Sequence, residues 1–214
     1  MKTRLLFLIA SLAFAVQTQA RAAESDVEAV ARGEYVFNAA GCPFFFSSVW
    51  QPKQPLAGGR PLKTPFGTFY SPNITPDVAT GIGKWRVEDL ARALREGRSP
   101  DGSHYYPALP YTAYTKMTDQ DVADLWAYLS SRPAVSQANK PHELGFPFNL
   151  RFGLVVWKFL NFTPGPLPVD RAHDAQWQRG RYLVEALAHC AECHTERNFL
   201  GGLKRDRWMA GSPN

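Results

Sequence analysis

The stretch Cys190-Ala191-Glu192-Cys193-His194 fits the C-x-x-C-H pattern of covalent haem attachment. On one helical turn, residues three positions apart share a face, so both thiols can bond the vinyl groups at one edge of a porphyrin. The residue after the second cysteine then directs its imidazole at the iron. The pattern therefore predicts one haem c, with Cys190 and Cys193 as thioether residues and His194 as the proximal iron ligand.

Two other kinds of site use paired cysteines. A thioredoxin-like C-x-x-C motif follows a strand, whereas the segment from Trp177 to Leu187 has the amphipathic pattern of a helix. A structural zinc site needs four ligands, and the third cysteine, Cys42, lies 148 positions upstream of Cys190. Haem attachment is therefore the favoured interpretation.

The first 22 residues have the pattern of a signal peptide. Lys2 and Arg4 precede a 12-residue apolar run from Leu5 to Val16, and Ala20-Arg21-Ala22 matches a cleavage site. The run is shorter than the roughly 20 residues of a membrane span. Removing residues 1–22 lowers the net charge from +5 to +2, which removes the main argument for nucleic-acid binding. We therefore expect a globular protein that is exported to the periplasm.

The chain contains an internal repeat. Arg32-Gly33-Glu34-Tyr35-Val36 precedes Cys42 as Arg179-Gly180-Arg181-Tyr182-Leu183 precedes Cys190. Further matches pair residues 56–59 with 199–202 and residues 71–73 with 212–214. The first copy continues with residues 74–129, which have no counterpart after residue 214. We therefore expect a second copy that lacks the wall over the distal haem face.

The first copy has lost the attachment pattern. After Cys42 the sequence continues as Pro43-Phe44-Phe45-Phe46, so Phe45 stands at the second cysteine position and Phe46 at the histidine position. Phenylalanine forms neither a thioether nor an iron bond. We expect these rings to pack in a core and fill the volume of a porphyrin, and non-covalent haem is the alternative.

Residues 74–129 contain two predicted helices. Apolar residues recur at helical spacing from Val87 to Leu94, with Gly97 as a stop signal. They recur again from Val122 to Leu129, after a start at Thr118 that resembles a capping box.

The Pro- and aromatic-rich segment 131–175 has the composition of a linker. It includes an apolar run from Phe152 to Phe162 that is interrupted by Lys158 and Asn161. We expect a buried helix that joins the two copies. The alternative is an exposed patch that docks a partner subunit or lies in the membrane interface.

Four stretches, 32–41, 55–85, 99–117 and 179–214, resemble the multi-haem cytochrome c subunits of periplasmic alcohol, gluconate and aldehyde dehydrogenases. The resemblance implies an all-α fold of tandem cytochrome c-like domains, the second incomplete. Residues 23–130 would form a domain with a degenerate haem motif, 131–175 a linker and 176–214 a partial domain with the C-x-x-C-H motif. It also implies a dehydrogenase subunit as electron donor, a quinone or oxidase as acceptor, and leaves association with the inner membrane open.

The family often has its distal methionine in a P-A-M-P-Y segment, where this chain has Leu109. Met117 is the nearest substitute and is our candidate for a distal ligand in the first domain, although a packing role is the favoured interpretation. Four further residues, His104, Asn73, Thr75 and Trp85, either contact haem propionates or have an ordinary loop or core role. His189 is expected to point away from the direction of His194, and His142 and His173 lie in linker-like sequence, so none of these three is a strong ligand candidate.

Three functional classes follow. The favoured one is an electron carrier with one covalent haem, and the first-domain site lost. The alternatives are a haem protein with an open sixth position that binds small ligands, and a docking remnant without electron transfer. The sequence contains no G-x-G-x-x-G nucleotide motif and no nucleophile-base set, so we expect any dehydrogenase activity to reside in a partner.

Overall fold

A computed structural model describes residues 26–47 and 54–212. The predicted signal peptide, 1–22, lies outside the described residues. The helices are α1 (26–39 within the described range), α2 (Cys42–Phe46), α3 (Val87–Glu96), α4 (Tyr111–Tyr114), α5 (Asp119–Ser130), α6 (Gly153–Asn161), α7 (Ala175–Tyr182) and α8 (Ala191–His194). A π-helix covers Leu183–Leu187, a 3-10 helix covers Arg205–Arg207, and the strands are β1 (Pro61–Thr64), β2 (Gly67–Tyr70) and β3 (Glu143–Leu144).

Both helices predicted in residues 74–129 are confirmed, together with their end signals. α3 ends at Gly97, whose φ of 60° is the left-handed conformation that glycine adopts without a steric penalty. α5 begins after Thr118, whose side chain accepts a hydrogen bond of 3.1 Å from the amide of Asp121. Local spacing and capping residues therefore determine these two elements.

The main core forms where α1, α3 and α5 meet, and α1 crosses α5 closely at Gly33. A Cβ atom at Gly33 would lie 1.9 Å from the carbonyl oxygen of Asp124 and 2.8 Å from the Cβ of Tyr128. Beside this crossing, the Arg32 guanidinium donates to both carboxylate oxygens of Asp124, at 2.9 and 3.0 Å. The ring of Phe37 lies 4.9 Å from that of Tyr128. Arg32 and Gly33 of α1 therefore lie at its crossing with α5.

The chain is mostly helical, as predicted, but the all-α expectation omits a small antiparallel sheet of order β1-β2-β3. β1 pairs with β2 from Pro61 opposite Tyr70 to Thr64 opposite Gly67. β3 adds two residues, with Leu144 opposite Gly67. The sheet therefore joins residues 143–144 of the 131–175 segment to the first copy.

The expectation of a buried helix in residues 152–162 is wrong. Of the residues of α6, all within the described part of the chain, Leu154 alone is buried, and the side chain of Phe159 is 87% exposed. α6 is attached at its edges: the Trp157 indole donates to the carbonyl of Leu200 at 2.7 Å, and Lys158 donates to the carbonyls that end α3. Apolar composition alone does not determine which residues of a helix are covered by other elements. Across 26–47 and 54–212, no helix has the length and apolarity to cross a membrane.

The predicted helix from Trp177 to Leu187 is present, as α7 followed by the π-helix. Ala186 and Leu187 are fully buried, and Leu187 belongs to the same hydrophobic cluster as Val36 and Leu94. The hydroxyl of Tyr182 donates to Asp121 at 2.5 Å. The start of the second copy therefore shares the core of the first.

Candidate haem site

α8 holds the C-x-x-C-H motif in one helical turn. The amide of Cys193 donates to the carbonyl of Cys190 at 3.2 Å, and the amide of His194 donates to the same carbonyl at 3.0 Å. Cys193 and His194 are exposed and Cys190 is half-buried, whereas Ala191 is buried. The three chain cysteines, all within the described residues, form no disulfide. The two thiols and the imidazole are therefore on one short turn with access to solvent.

The residues around α8 fix its position from both sides. The Thr112 hydroxyl of α4 donates to the carboxylate of Glu192 at 2.6 Å, and the guanidinium of Arg197 donates to the same carboxylate at 2.6 Å. Thr195 is fully buried, and its hydroxyl accepts from the amide of Met209 at 3.0 Å. The turn is thus held by polar contacts of Glu192 and Thr195 and by backbone hydrogen bonds, and within the described residues the thiols of Cys190 and Cys193 and the imidazole of His194 make no hydrogen bond.

A cavity of about 590 Å³ lies beside α8. Ala191 and Glu192 line it, together with Trp208 and with Lys116, which follows α4. The cavity thus borders the motif through its two middle residues.

α2 is the counterpart of α8 in the first copy and has the same helical form. Phe46 packs against the main core and Phe45 is half-buried, with its ring 5.9 Å from that of His189, while Phe44 is exposed. Burial raises the pKa of the Cys42 thiol to about 12. The predicted packing role thus applies to Phe45 and Phe46 and not to Phe44.

The distal-ligand candidate, Met117, is buried in the main core, and its carbonyl accepts from Arg95 at 2.7 Å. Leu109 packs against the same cluster. Both residues therefore pack in or against the hydrophobic core. The role of Met117 as a distal ligand stays a prediction.

Of the polar residues considered for propionates, Asn73 and Thr75 have other hydrogen-bond partners. The amide group of Asn73 donates to the carbonyl of Val135 at 2.7 Å, and its oxygen accepts from the hydroxyl of Thr75 at 2.7 Å. Trp85 packs against the main core. His104 is half-buried, and its Nδ1 has no hydrogen-bond partner among the described residues. Burial lowers the pKa of His104, and Lys158 and Arg98 lower it further.

The two linker histidines make local contacts. The Nδ1 of His142 accepts from the amide of Tyr70 at 3.1 Å, and its ring lies edge-on to Phe69 and Tyr106. His173 stacks on Trp177 with a centroid distance of 3.9 Å. Both histidines thus contact residues outside the C-x-x-C-H turn.

His189 is the residue whose position sequence analysis missed. It is buried between Phe45 of the first copy and Tyr114 of α4, and it has a φ of 40°. Its Nε2 atom is buried with no hydrogen-bond partner in the described part of the chain, and burial lowers its pKa. No local signal predicts this burial, because the contacts come from residues 75 or more positions away.

The comparisons with known proteins return cytochrome c subunits. A "Diheme cytochrome c-type" protein of Cereibacter sphaeroides is 49% identical over 186 residues, which cover 86% of this chain and 62% of the relative. The "Fructose dehydrogenase cytochrome subunit" of Gluconobacter japonicus is 40% identical over 212 residues, covering 98% of this chain and 43% of the relative. The "Gluconate 2-dehydrogenase cytochrome c subunit" of Pantoea cypripedii is 40% identical over 202 residues, covering 93% and 44%.

The chain is related to the multi-haem cytochrome c electron-transfer subunits. This confirms the resemblance that the sequence motifs indicate. The chain spans between about two fifths and three fifths of the length of these relatives. No protein-family model matches it.

Proposed function

We propose that the chain is a haem c electron-transfer subunit, with one haem attached through Cys190 and Cys193 and bound at the iron by His194. The observation that carries the proposal is the α8 turn, where two unpaired thiols and an imidazole reach solvent at the helical spacing that attachment needs. The names of the relatives, which are cytochrome c subunits of dehydrogenases, support it.

The donor set fits the group in its chemistry. When bound, a haem iron takes up and releases one electron, and its potential depends on its axial ligand and burial. In this chain, the thiols of Cys190 and Cys193 would hold the porphyrin edge and the imidazole of His194 would bind the iron. The contacts of Thr112 and Arg197 to Glu192 would keep the turn in place while the group is attached.

The first copy, we propose, has no haem. Phe45 and Phe46 replace the second thiol and the imidazole, and their rings pack against His189 and the main core. Thioether formation needs an accessible thiol, whereas Cys42 is buried and its pKa is raised to about 12 by that burial. Met117 as a distal ligand would then have no iron to bind.

The proposed organisation has a signal peptide at 1–22, a first cytochrome c-like unit at 23–130, a linker at 131–175 and a partial second unit at 176–214. Export would place the protein in the periplasm, where a dehydrogenase subunit would be the electron donor and a quinone or oxidase the acceptor. Substrate oxidation would take place in the dehydrogenase subunit. The exposed residues of α6 are the proposed site of any contact with the inner membrane.

Intact-mass measurement of exported protein, made in a host with active haem maturation, tests the proposal. We expect the mass of one haem per chain in the wild type and in Cys42→Ala, and the bare polypeptide mass in a Cys190→Ala, Cys193→Ala double variant. A bare wild-type mass would overturn the proposal, and two haems per chain would overturn the loss of the first site. A low-spin reduced spectrum supports electron transfer, whereas a high-spin spectrum that shifts with carbon monoxide supports the ligand-binding alternative.

A further inference from the structure

Glu192, the third residue of the C-x-x-C-H motif, has a largely buried carboxylate. Its side chain is 12% exposed, whereas the neighbouring Cys193 and His194 are exposed. A carboxylate in such surroundings needs hydrogen-bond donors in place of the water that it loses. It also acts on nearby charges more strongly than a carboxylate in solvent does, because protein screens charges less than water.

Each oxygen of this carboxylate has its own donor. The hydroxyl of Thr112 donates to Oε1 at 2.6 Å, and the guanidinium of Arg197 donates to Oε2 at 2.6 Å. Arg197 also donates to the backbone carbonyls of Glu192 and Gly201, both at 2.8 Å. One neutral donor and one cation therefore hold the negative charge of the motif.

The neutral donor belongs to the first copy. Thr112 lies in α4, 80 positions before Glu192 along the chain. Within α4, Tyr111 is fully buried, and the hydroxyl of Tyr114 donates to the carbonyl of Ala40 at 2.8 Å. The core of the first copy thus fixes the hydroxyl that reaches the motif of the second.

The region around α4 contacts the second copy at two further points. Lys116, which follows α4, forms an ion pair of 3.2 Å with Glu185 of the π-helix, and the two side chains are 20% and 21% exposed. The ring of Tyr114 lies 5.5 Å from that of His189. The hydrogen bond to Glu192 is therefore part of a larger interface between the copies.

A haem iron loses one unit of positive charge when it accepts an electron, so a fixed negative charge near it favours the ferric state and lowers the potential. We propose that Glu192 lowers the potential of the haem in this way, and that Thr112 moderates the effect, because the positive end of its O–H dipole faces the carboxylate. This inference rests on the proposed haem attachment at Cys190 and Cys193. It gives the first copy, which has no haem of its own in our proposal, a part in electron transfer.

The test is a redox titration of the exported holoprotein, followed through its visible haem spectrum. Glu192→Gln keeps the shape of the side chain and removes its charge. We expect the potential to rise, with about tenfold more ferrous relative to ferric haem at the same applied potential, which corresponds to about 59 mV. Arg197→Gln removes the compensating cation, so the potential should fall.

Thr112→Val keeps the branched shape of the side chain and removes the hydroxyl. We expect the potential to fall, with about threefold less ferrous haem at the same applied potential, and Thr112→Ser should restore the wild-type value. When Glu192→Gln is already present, Thr112→Val should have little further effect, because the charge on which the hydroxyl acts is gone. Thr68→Val is the matched control and should leave the potential unchanged, because Thr68 is likewise half-buried but lies in β2.

A turn that is merely loosened would shift the potentials of Glu192→Gln and Thr112→Val in the same direction, whereas the proposed effect shifts them in opposite directions. Potentials that move together, or a Glu192→Gln potential equal to that of the wild type, would overturn the inference in a protein with one haem per chain. If Thr112→Val does not fold, as judged by circular dichroism, Glu192→Gln and Arg197→Gln decide in the same way. A bare wild-type polypeptide mass would contradict the proposed function itself and this inference with it, so intact mass separates the two failures.

Discussion

Gly33 and Gly180 stand at equivalent positions of two repeats and have opposite surroundings. At Gly33 the backbone of α5 is so close that no side chain fits, whereas at Gly180 the surroundings are open within the described chain. The sequences around them are alike, so the difference lies in what covers each helix. The comparison shows that the same Arg-Gly pair lies against a helix in one copy and in open surroundings within the described residues of the other.

Gly33→Ala should produce the largest effect. The new methyl group would collide with the carbonyl of Asp124 and force α1 away from α5. We expect the free energy of unfolding to fall by about 3 kcal/mol or more, as for severe overpacking of a core. Urea denaturation followed by circular dichroism measures it, and a loss below about 0.5 kcal/mol would contradict the close crossing.

Asp124→Ala should have the next largest effect. Its carboxylate is buried and accepts from Arg32 and from Gln120, so its removal breaks three hydrogen bonds. We expect a loss of about 1–3 kcal/mol in the free energy of unfolding. Arg179→Ala, at the second-copy counterpart of Arg32, should change the free energy of unfolding by less than about 0.5 kcal/mol. Equal losses in the free energy of unfolding of the two variants would contradict the proposed difference between the two copies.

Gly180→Ala should stabilise the protein. The added methyl group meets no described atom, and alanine is a better helix former than glycine by about 0.5–1 kcal/mol. The same denaturation experiment should therefore show a higher free energy of unfolding than in the wild type. A decrease would mean that another part of the protein approaches Gly180 closely.

The pH dependence at His189 should be the smallest effect. Burial lowers the pKa of His189 in the folded protein, so the unfolded chain binds a proton first as the pH falls through about 6.5. Stability is therefore lost from there down to the folded pKa. His189→Asn, which tolerates a positive φ, should flatten part of this slope, while His104 and His142, whose pKa values burial also lowers, keep the rest. An unchanged slope would contradict the burial of His189.

The elements that sequence analysis predicted correctly are those with local causes. α3 and α5 follow from apolar spacing, Gly97 and Thr118, all within a few residues of each element. The helical turn around Cys190 follows from the pattern of the preceding segment. In each case the residues that decide the structure lie in the element itself.

The features that escaped prediction depend on distant parts of the chain. β2 pairs with β3, which lies more than 70 residues further along and is shorter than a typical strand. The burial of His189 requires Phe45 and Tyr114. α6 was expected to be buried because it is apolar, but composition does not determine which faces other elements cover.

The burial of Leu187 in the first core has a consequence for the order of folding. The core that α1, α3 and α5 begin lacks Leu187 until residues 183–187 have packed against it. Cys190 follows three residues later, so the segment that completes this core leads directly into the C-x-x-C-H turn. Closure of the hydrophobic core therefore anchors the chain immediately before that turn.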